Sequence, residues 1–178
     1  MDLASTLKQH IRAVPDFPIP GILFRDISPI FLQPRLLDTC VAALAAPWQE
    51  AGITKVIGID SRGFLFGPQL AVALNAGFVM VRKKGKLPPE TISVTYELEY
   101  GNATLESVRE ALQPGDRVLI HDDLLATGGT AAAAASLAAK LGATPVGFSF
   151  LVDLTYLDGQ RQLLPYGGRI HSLVQFDV

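Results

Sequence analysis

Short apolar runs alternate along this chain with longer amphipathic stretches, a pattern that predicts strands alternating with helices. Residues 2–12 read as a helix, and 15–31, rich in proline and glycine, read as irregular. The stretch 34–52 predicts a helix that closes near Gly52. "TKVIGID" (54–60) is a short apolar strand, 63–77 a helix ending at a glycine, and "FVMVRKK" (78–84) another strand. From 88 to 108 apolar and polar residues alternate, which predicts a β-hairpin or a mobile excursion. "DRVLIHD" (116–122) is a strand, 130–142 a helix beginning near Gly129, 144–154 a strand and 170–176 a short final strand. Strands and helices in this order imply an α/β fold with a mostly parallel central sheet covered by helices on both faces. In such sheets ligands bind beyond the carboxyl ends of the strands, which directs attention to the loops that follow them.

The length, 178 residues, suits a single domain with its own core. Apolar residues make up 49% and charged residues 18%, a globular composition. A net charge of -2 and the lack of a long basic run speak against broad nucleic-acid binding. The one cysteine, Cys40, lies in an apolar run and reads as a core thiol; with no partner in the chain it fits a reducing compartment. The first residues carry charges and no long apolar core, so no secretory signal is expected. No apolar stretch is long enough for a membrane span. The expectation is a soluble cytoplasmic protein.

The chemistry gathers at "RVLIHDDLLATGGT", Arg117 to Thr130. A strand leads into two adjacent carboxylates, Asp122 and Asp123, and then into Ala126-Thr127-Gly128-Gly129-Thr130 at the start of a helix. Unpaired amides and the dipole at a helix N-terminus favour an anion. Gly128 and Gly129 let the backbone approach it, and Thr127 and Thr130 add hydroxyl donors. The loop lacks the Gly-Lys-Ser/Thr ending of nucleoside-triphosphate loops, so it suits a terminal monophosphate. Carboxylates do not help hold a phosphate, but they bind sugar hydroxyls. Loop and acidic pair together describe a site for a ribose 5-phosphate.

"VLIHDDLLATGGT" resembles the 5-phosphoribosyl-1-pyrophosphate signature of the type I phosphoribosyltransferases. "FPIPGILFRDISPIF", "GIDSRGFLFGP", "VRKKGKLP" and "YELEYG" narrow the resemblance to the adenine-specific members, from about residue 15 onward. The resemblance implies a type I phosphoribosyltransferase fold in one domain, with a small N-terminal hood over about 1–33 and a flexible hairpin lid over about 87–108. It implies the reaction of adenine with phosphoribosyl pyrophosphate to give AMP and pyrophosphate, in purine salvage. It also implies a homodimer, and Mg2+ carried mainly on the substrate's pyrophosphate and ribose with no direct protein ligand.

The resemblance also distributes roles. Asp122 and Asp123 bind the ribose, and Ala126 to Thr130 the 5-phosphate. Ser61 and Arg62, followed by Gly63 at a helix start, face the pyrophosphate, with a non-proline cis peptide implied near Asp60-Ser61. Arg82, Lys83 and Lys86 face it too, Lys83 from either its own or a neighbouring subunit, while Lys84 reads as solvated. Strand alternation sends Arg82 and Lys83 to opposite sides. In the hood, Phe24 stacks on the purine, Leu23 offers backbone hydrogen bonds and Arg25 flanks the base. Glu99 handles a proton on adenine and Tyr100 helps seal the site. His10, His121 and His171 form no metal motif, and His121 replaces the usual aliphatic residue before the acidic pair as a packing variant.

Two other readings compete. A phosphoribosyltransferase for another base is opposed by the hood sequence and by "YELEYG". A regulatory protein that senses phosphoribosyl pyrophosphate would be expected to carry a basic face or a DNA-binding domain, and the chain shows neither.

Overall fold

Two parallel strands made of branched apolar residues run side by side through the centre of the protein, and the rest of the sheet grows outward from them. In the computed structural model, which describes residues 2–97 and 101–178, these are β3 (Lys55–Ile59) and β7 (Arg117–Leu125). The chain begins with α1 (Leu3–His10), β1 (Arg12–Val14), β2 (Phe24–Asp26), α2 (Ser28–Phe31) and α3 (Pro34–Ala45). Beyond β3 come α4 (Gly67–Ala73), β4 (Gly77–Lys83), β5 (Thr91–Glu97) and β6 (Asn102–Val108). After β7 follow α5 (Gly129–Lys140), β8 (Thr144–Leu154) and β9 (Arg169–Phe176). The main sheet has seven strands in the order β5-β6-β4-β3-β7-β8-β9, parallel from β4 to β9 and antiparallel at the β5–β6 edge.

Side-chain alternation divides the core into two layers. Ile57, Ile59, Val118 and Ile120 point to α5, whose buried alanines Ala133, Ala134 and Ala135 let the helix lie close to Phe148 and Phe150. Val56 and Leu119 point to the other face, against Cys40 and Leu44 of α3 and Leu70 of α4. The α/β architecture expected from the chain is therefore present. The crossovers β3–α4–β4 and β7–α5–β8 leave in opposite directions, so the strand order reverses between β3 and β7. A crevice opens at the carboxyl ends of such a pair.

Several boundaries differ from the sequence reading. The first helix ends at His10, and Arg12–Val14 instead pairs with Phe24–Asp26 in a two-stranded antiparallel sheet. The stretch 15–31 thus contains a strand and a short helix rather than only irregular chain. The helix expected to reach Gly52 stops at Ala45 and tightens into a 3-10 turn over Ala46–Trp48, where Pro47 has no amide to donate. The expected 63–77 helix is a 3-10 turn, Arg62–Phe64, followed by α4, which stops at Ala73; the chain then turns at Asn75 in a left-handed conformation (φ 52°), and Gly77 already belongs to β4. Within the 88–108 segment, Thr91–Glu97 and Asn102–Val108 pair antiparallel as the two arms of a hairpin. β7 runs on to Leu125, pairing Asp122 with Phe150 and Leu125 with Asp153, so the acidic pair sits within the strand rather than at its end. Two 3-10 segments, Thr155–Leu157 and Gly159–Tyr166, follow β8 where no element was expected.

Candidate active site

The carboxyl ends of β3, β4 and β7 deliver the expected residues to one place. A cavity of about 340 Å³ is lined by Ser61, Arg62, Lys83, Asp122, Asp123 and Thr130, among others. Lys83 reaches it from its own chain. Arg62 Nε lies 3.0 Å from Asp123 Oδ2, an ion pair without the alignment of a hydrogen bond. The same guanidinium donates from Nη1 to the Arg25 carbonyl oxygen at 3.4 Å, and its Cζ stands 4.9 Å from the centre of the Phe24 ring. Arg62 therefore joins β2 to the acidic strand.

Asp122 and Asp123 are crowded. Asp122 Oδ1 accepts the Asp123 amide at 2.9 Å. Burial, reinforced by the neighbouring Asp123 carboxylate, pushes Asp122 well above the usual carboxylate range. Burial also raises Asp123, with the Arg62 cation opposing the shift. The pair is thus poor at carrying two charges until polar or positive groups enter the cavity. On the opposite side of β7, His121 is fully buried edge-on to Phe66, 6.2 Å between ring centres, and burial lowers its pKa to about 4. It packs in the core, the packing variant that the sequence reading expects.

Beside the acidic pair, Ala126, Thr127, Gly128 and Thr130 line a small cavity of about 70 Å³. Gly128 is the N-cap of α5 in a left-handed conformation (φ 84°), and the helix amides beyond it face the loop. Thr130 Oγ1 lies 3.2 Å from the Tyr96 hydroxyl of β5, so the hairpin leans on this loop.

The second expected anion site is built differently from the sequence picture. Ser61, Arg62 and Gly63 open a single 3-10 turn, Phe64 N to Ser61 O at 3.2 Å, rather than a long helix. Little helix dipole is available there, and positive charge comes from side chains instead. The Asp60–Ser61 peptide is cis, as the resemblance implies. Arg82 Nε and Lys86 Nζ each lie 3.2 Å from Asp60 Oδ2, and Arg82 Nη1 donates to the Lys86 carbonyl at 3.2 Å. Burial of Asp60 works against ionisation, but Lys86 and Arg82 outweigh it and hold the carboxyl below its ordinary range.

In the expected hood, Leu23 is exposed, and Phe24 meets Phe17 edge-on at 5.1 Å. Arg25 is the departure. Alternation along β2 turns its side chain away from Phe24; Nη2 donates to the Val178 carbonyl and Cζ sits 4.0 Å from the centre of the Phe176 ring. Only its backbone carbonyl meets the site residues, through Arg62. Glu99 and Tyr100 lie outside the described residues.

The phosphoribosyl transferase domain model matches residues 33–166. An adenine phosphoribosyltransferase of Yersinia pestis (strain Pestoides F) is 48% identical over 171 residues, 96% of this chain and 91% of the relative. The crystal structure of adenine phosphoribosyltransferase from Rhodothermus marinus superposes with a TM-score of 0.93 at 53% identity, covering 98% of each chain. This chain belongs to the adenine phosphoribosyltransferases. The Saccharomyces cerevisiae enzyme, solved with an imino-altritol bisphosphate and adenine, superposes with a TM-score of 0.89 at 42% identity, covering 96% of this chain and 98% of that one.

As an adenine phosphoribosyltransferase the chain is a pentosyl-transferring enzyme, and two residues that shape the candidate site have no side-chain role in the sequence reading. Asp60 is the counter-ion of the basic cluster, legible only as part of "GIDSRG". Glu106, buried in β6, accepts the amides of Gly85, Lys86 and Leu87 at 2.9, 3.2 and 3.3 Å and so shapes the loop that carries Lys86. In the sequence it is one polar residue of an alternating hairpin.

Proposed function

We propose that this enzyme transfers the phosphoribosyl group of phosphoribosyl pyrophosphate to adenine, giving AMP and pyrophosphate in purine salvage, with Mg2+ required. The observation that carries the reading is the continuity of Asp122 and Asp123 with the Ala126–Thr130 loop, the pair facing Arg62 across one cavity. The names of the relatives and the adenine in the yeast complex support the choice of base.

The site's electrostatics fit this chemistry. Amides and hydroxyls of Ala126 to Thr130 hold the 5-phosphate, and Asp122 and Asp123 accept the ribose hydroxyls beside it. As the N9–C1 bond to adenine forms and the C1–O bond to pyrophosphate breaks, positive charge develops on the ribose and negative charge leaves with the pyrophosphate. The acidic pair stabilises the first, and Ser61, Arg62, Arg82, Lys83 and Lys86 the second. Phe24 stacks on the base and Leu23 supplies backbone hydrogen bonds, while Arg25 contributes its carbonyl rather than its side chain. Glu99 takes the proton that adenine loses, and Tyr100 closes the site against water.

The donor set suits a magnesium ion carried by the substrate. Asp60 is taken by Arg82 and Lys86 and Asp123 by Arg62, and the described residues hold no cluster of three or more metal-ligating side chains. Magnesium commonly keeps waters and substrate phosphates as ligands, and when bound it would neutralise pyrophosphate charge. A homodimer is part of the same proposal, as the resemblance to the family implies. A cytoplasmic setting is part of the same proposal; no described helix is long and apolar enough to cross a membrane, and Cys40 is a buried thiol that burial pushes up to about 11.

The test is product formation from phosphoribosyl pyrophosphate and magnesium with adenine, hypoxanthine, guanine, xanthine and orotate offered separately. AMP formed from adenine in strong preference is expected. Preference for another base would overturn the hood assignment, and binding of phosphoribosyl pyrophosphate without turnover of any base would favour a sensor.

A further inference from the structure

The 3-10 segment Gly159–Tyr166 belongs to none of the motifs that mark the site, yet its first residue meets the phosphate loop backbone to backbone. A Cβ on Gly159 would collide with the Ala126 carbonyl oxygen and stand 3.1 Å from the Gly128 nitrogen; a Cβ on Gly128 would collide with the Gly159 carbonyl oxygen. Gly159 does not have the left-handed φ that favours glycine, so space rather than dihedral freedom restricts it to glycine.

The same segment is fixed from below. Asp153, 1% exposed, is paired in register with Leu125, the residue before the loop. Its Oδ2 accepts Gln160 Nε2 at 2.7 Å and Gln175 Nε2 at 3.4 Å. A hydrogen bond to a buried carboxylate is among the stronger kinds. Asp158, left-handed at φ 50°, turns the chain into this position, and Leu163 seals the segment into the core beside α5. The loop is thus held between α5 and a support on β8.

We propose that Gly159 and the Asp153–Gln160 pair are positioning residues for the 5-phosphate: they set the height of Ala126–Gly128 so that the loop amides converge on a monophosphate. This rests on the reading that the loop holds the 5-phosphate. Gly159 meets the loop and Gln160 meets Asp153, so the effect is expected on phosphoribosyl pyrophosphate rather than on adenine.

The experiment compares wild type, Gly159→Ala, Gln160→Ala and the control Leu164→Ala, an exposed site in the same segment. Ribose 5-phosphate affinity is measured by calorimetry, KM for each substrate by initial rates, and folding by thermal melting. Gly159→Ala should weaken ribose 5-phosphate binding and raise KM for phosphoribosyl pyrophosphate by about tenfold to a hundredfold, the scale of misplacing a binding group by about 1 Å. Its KM for adenine should stay within about twofold, and Gln160→Ala should move the same two constants by about threefold. Leu164→Ala should leave all of them unchanged. If Gly159→Ala does not fold, the split in Gln160→Ala decides. Wild-type constants in the folded variants, or equal rises for both substrates, would overturn the inference. A wild-type enzyme that binds no ribose 5-phosphate, with or without pyrophosphate, would instead overturn the reading of the loop, and the inference with it.

Discussion

Arg62 Nε sits 3.0 Å from Asp123 Oδ2 while its guanidinium faces the ring of Phe24 at 4.9 Å. One side chain therefore touches the part of the site assigned to the sugar and the part assigned to the base. The carboxylate it does not pair with, Asp122, is the more strongly perturbed of the two, raised by burial and by its neighbour.

That perturbation gives a pH dependence with a definite sign. In the unfolded chain Asp122 ionises near the ordinary carboxylate value of 3.8; in the folded protein it holds its proton to a higher pH. Between those two values the folded state binds more protons, so stability falls as pH rises. Asp122→Asn cannot ionise, and its Oδ1 still accepts the Asp123 amide. Its melting temperature should match wild type near pH 4 and exceed it increasingly toward pH 7. Each kcal/mol of relief corresponds to roughly 2–4 °C in a chain of this size. Melting curves across pH check this; a gain independent of pH would refute it.

Phe24→Ala should raise KM for adenine by about tenfold or more, the scale of base–aromatic stacking, and leave KM for phosphoribosyl pyrophosphate within about twofold. Initial-rate kinetics with each substrate varied in turn show whether the effect is confined to the base.

Arg82→Ala removes one of the two cations that hold Asp60. KM for phosphoribosyl pyrophosphate should rise by about tenfold while adenine is little affected. Equal effects on both substrates would place Arg82 in folding rather than in pyrophosphate binding.

The Tyr96 hydroxyl reaches Thr130 from the hairpin, and Tyr96→Phe deletes only that contact. A neutral hydrogen bond of this kind is worth about 0.5–1.5 kcal/mol net, so KM for phosphoribosyl pyrophosphate should rise about two- to tenfold. An unchanged KM would mean the contact does not persist in the substrate complex.

The parts of the site legible in the sequence are those written locally. The β7 strand, the acidic pair and the Thr-Gly-Gly-Thr turn are contiguous, and each residue type announces its own chemistry. What escaped depends on distant partners. The β1–β2 pairing needs Ala13 opposite Arg25, and Arg25 goes where Val178 and Phe176 are, more than 150 residues along the chain. Glu106 is buried because the Gly85–Leu87 backbone folds onto it, which no hairpin periodicity reveals. The sequence places Asp122 and Asp123 at a strand end; β8 continues the pairing past them through Phe150 and Val152.

The most direct measurement is turnover of adenine and phosphoribosyl pyrophosphate by Asp122→Asn and Asp123→Asn, each confirmed folded. If the acidic pair binds the ribose and offsets its developing charge, kcat should fall by about tenfold or more in each, with KM for adenine little changed. Full turnover in both variants would contradict the placement of the sugar over the pair.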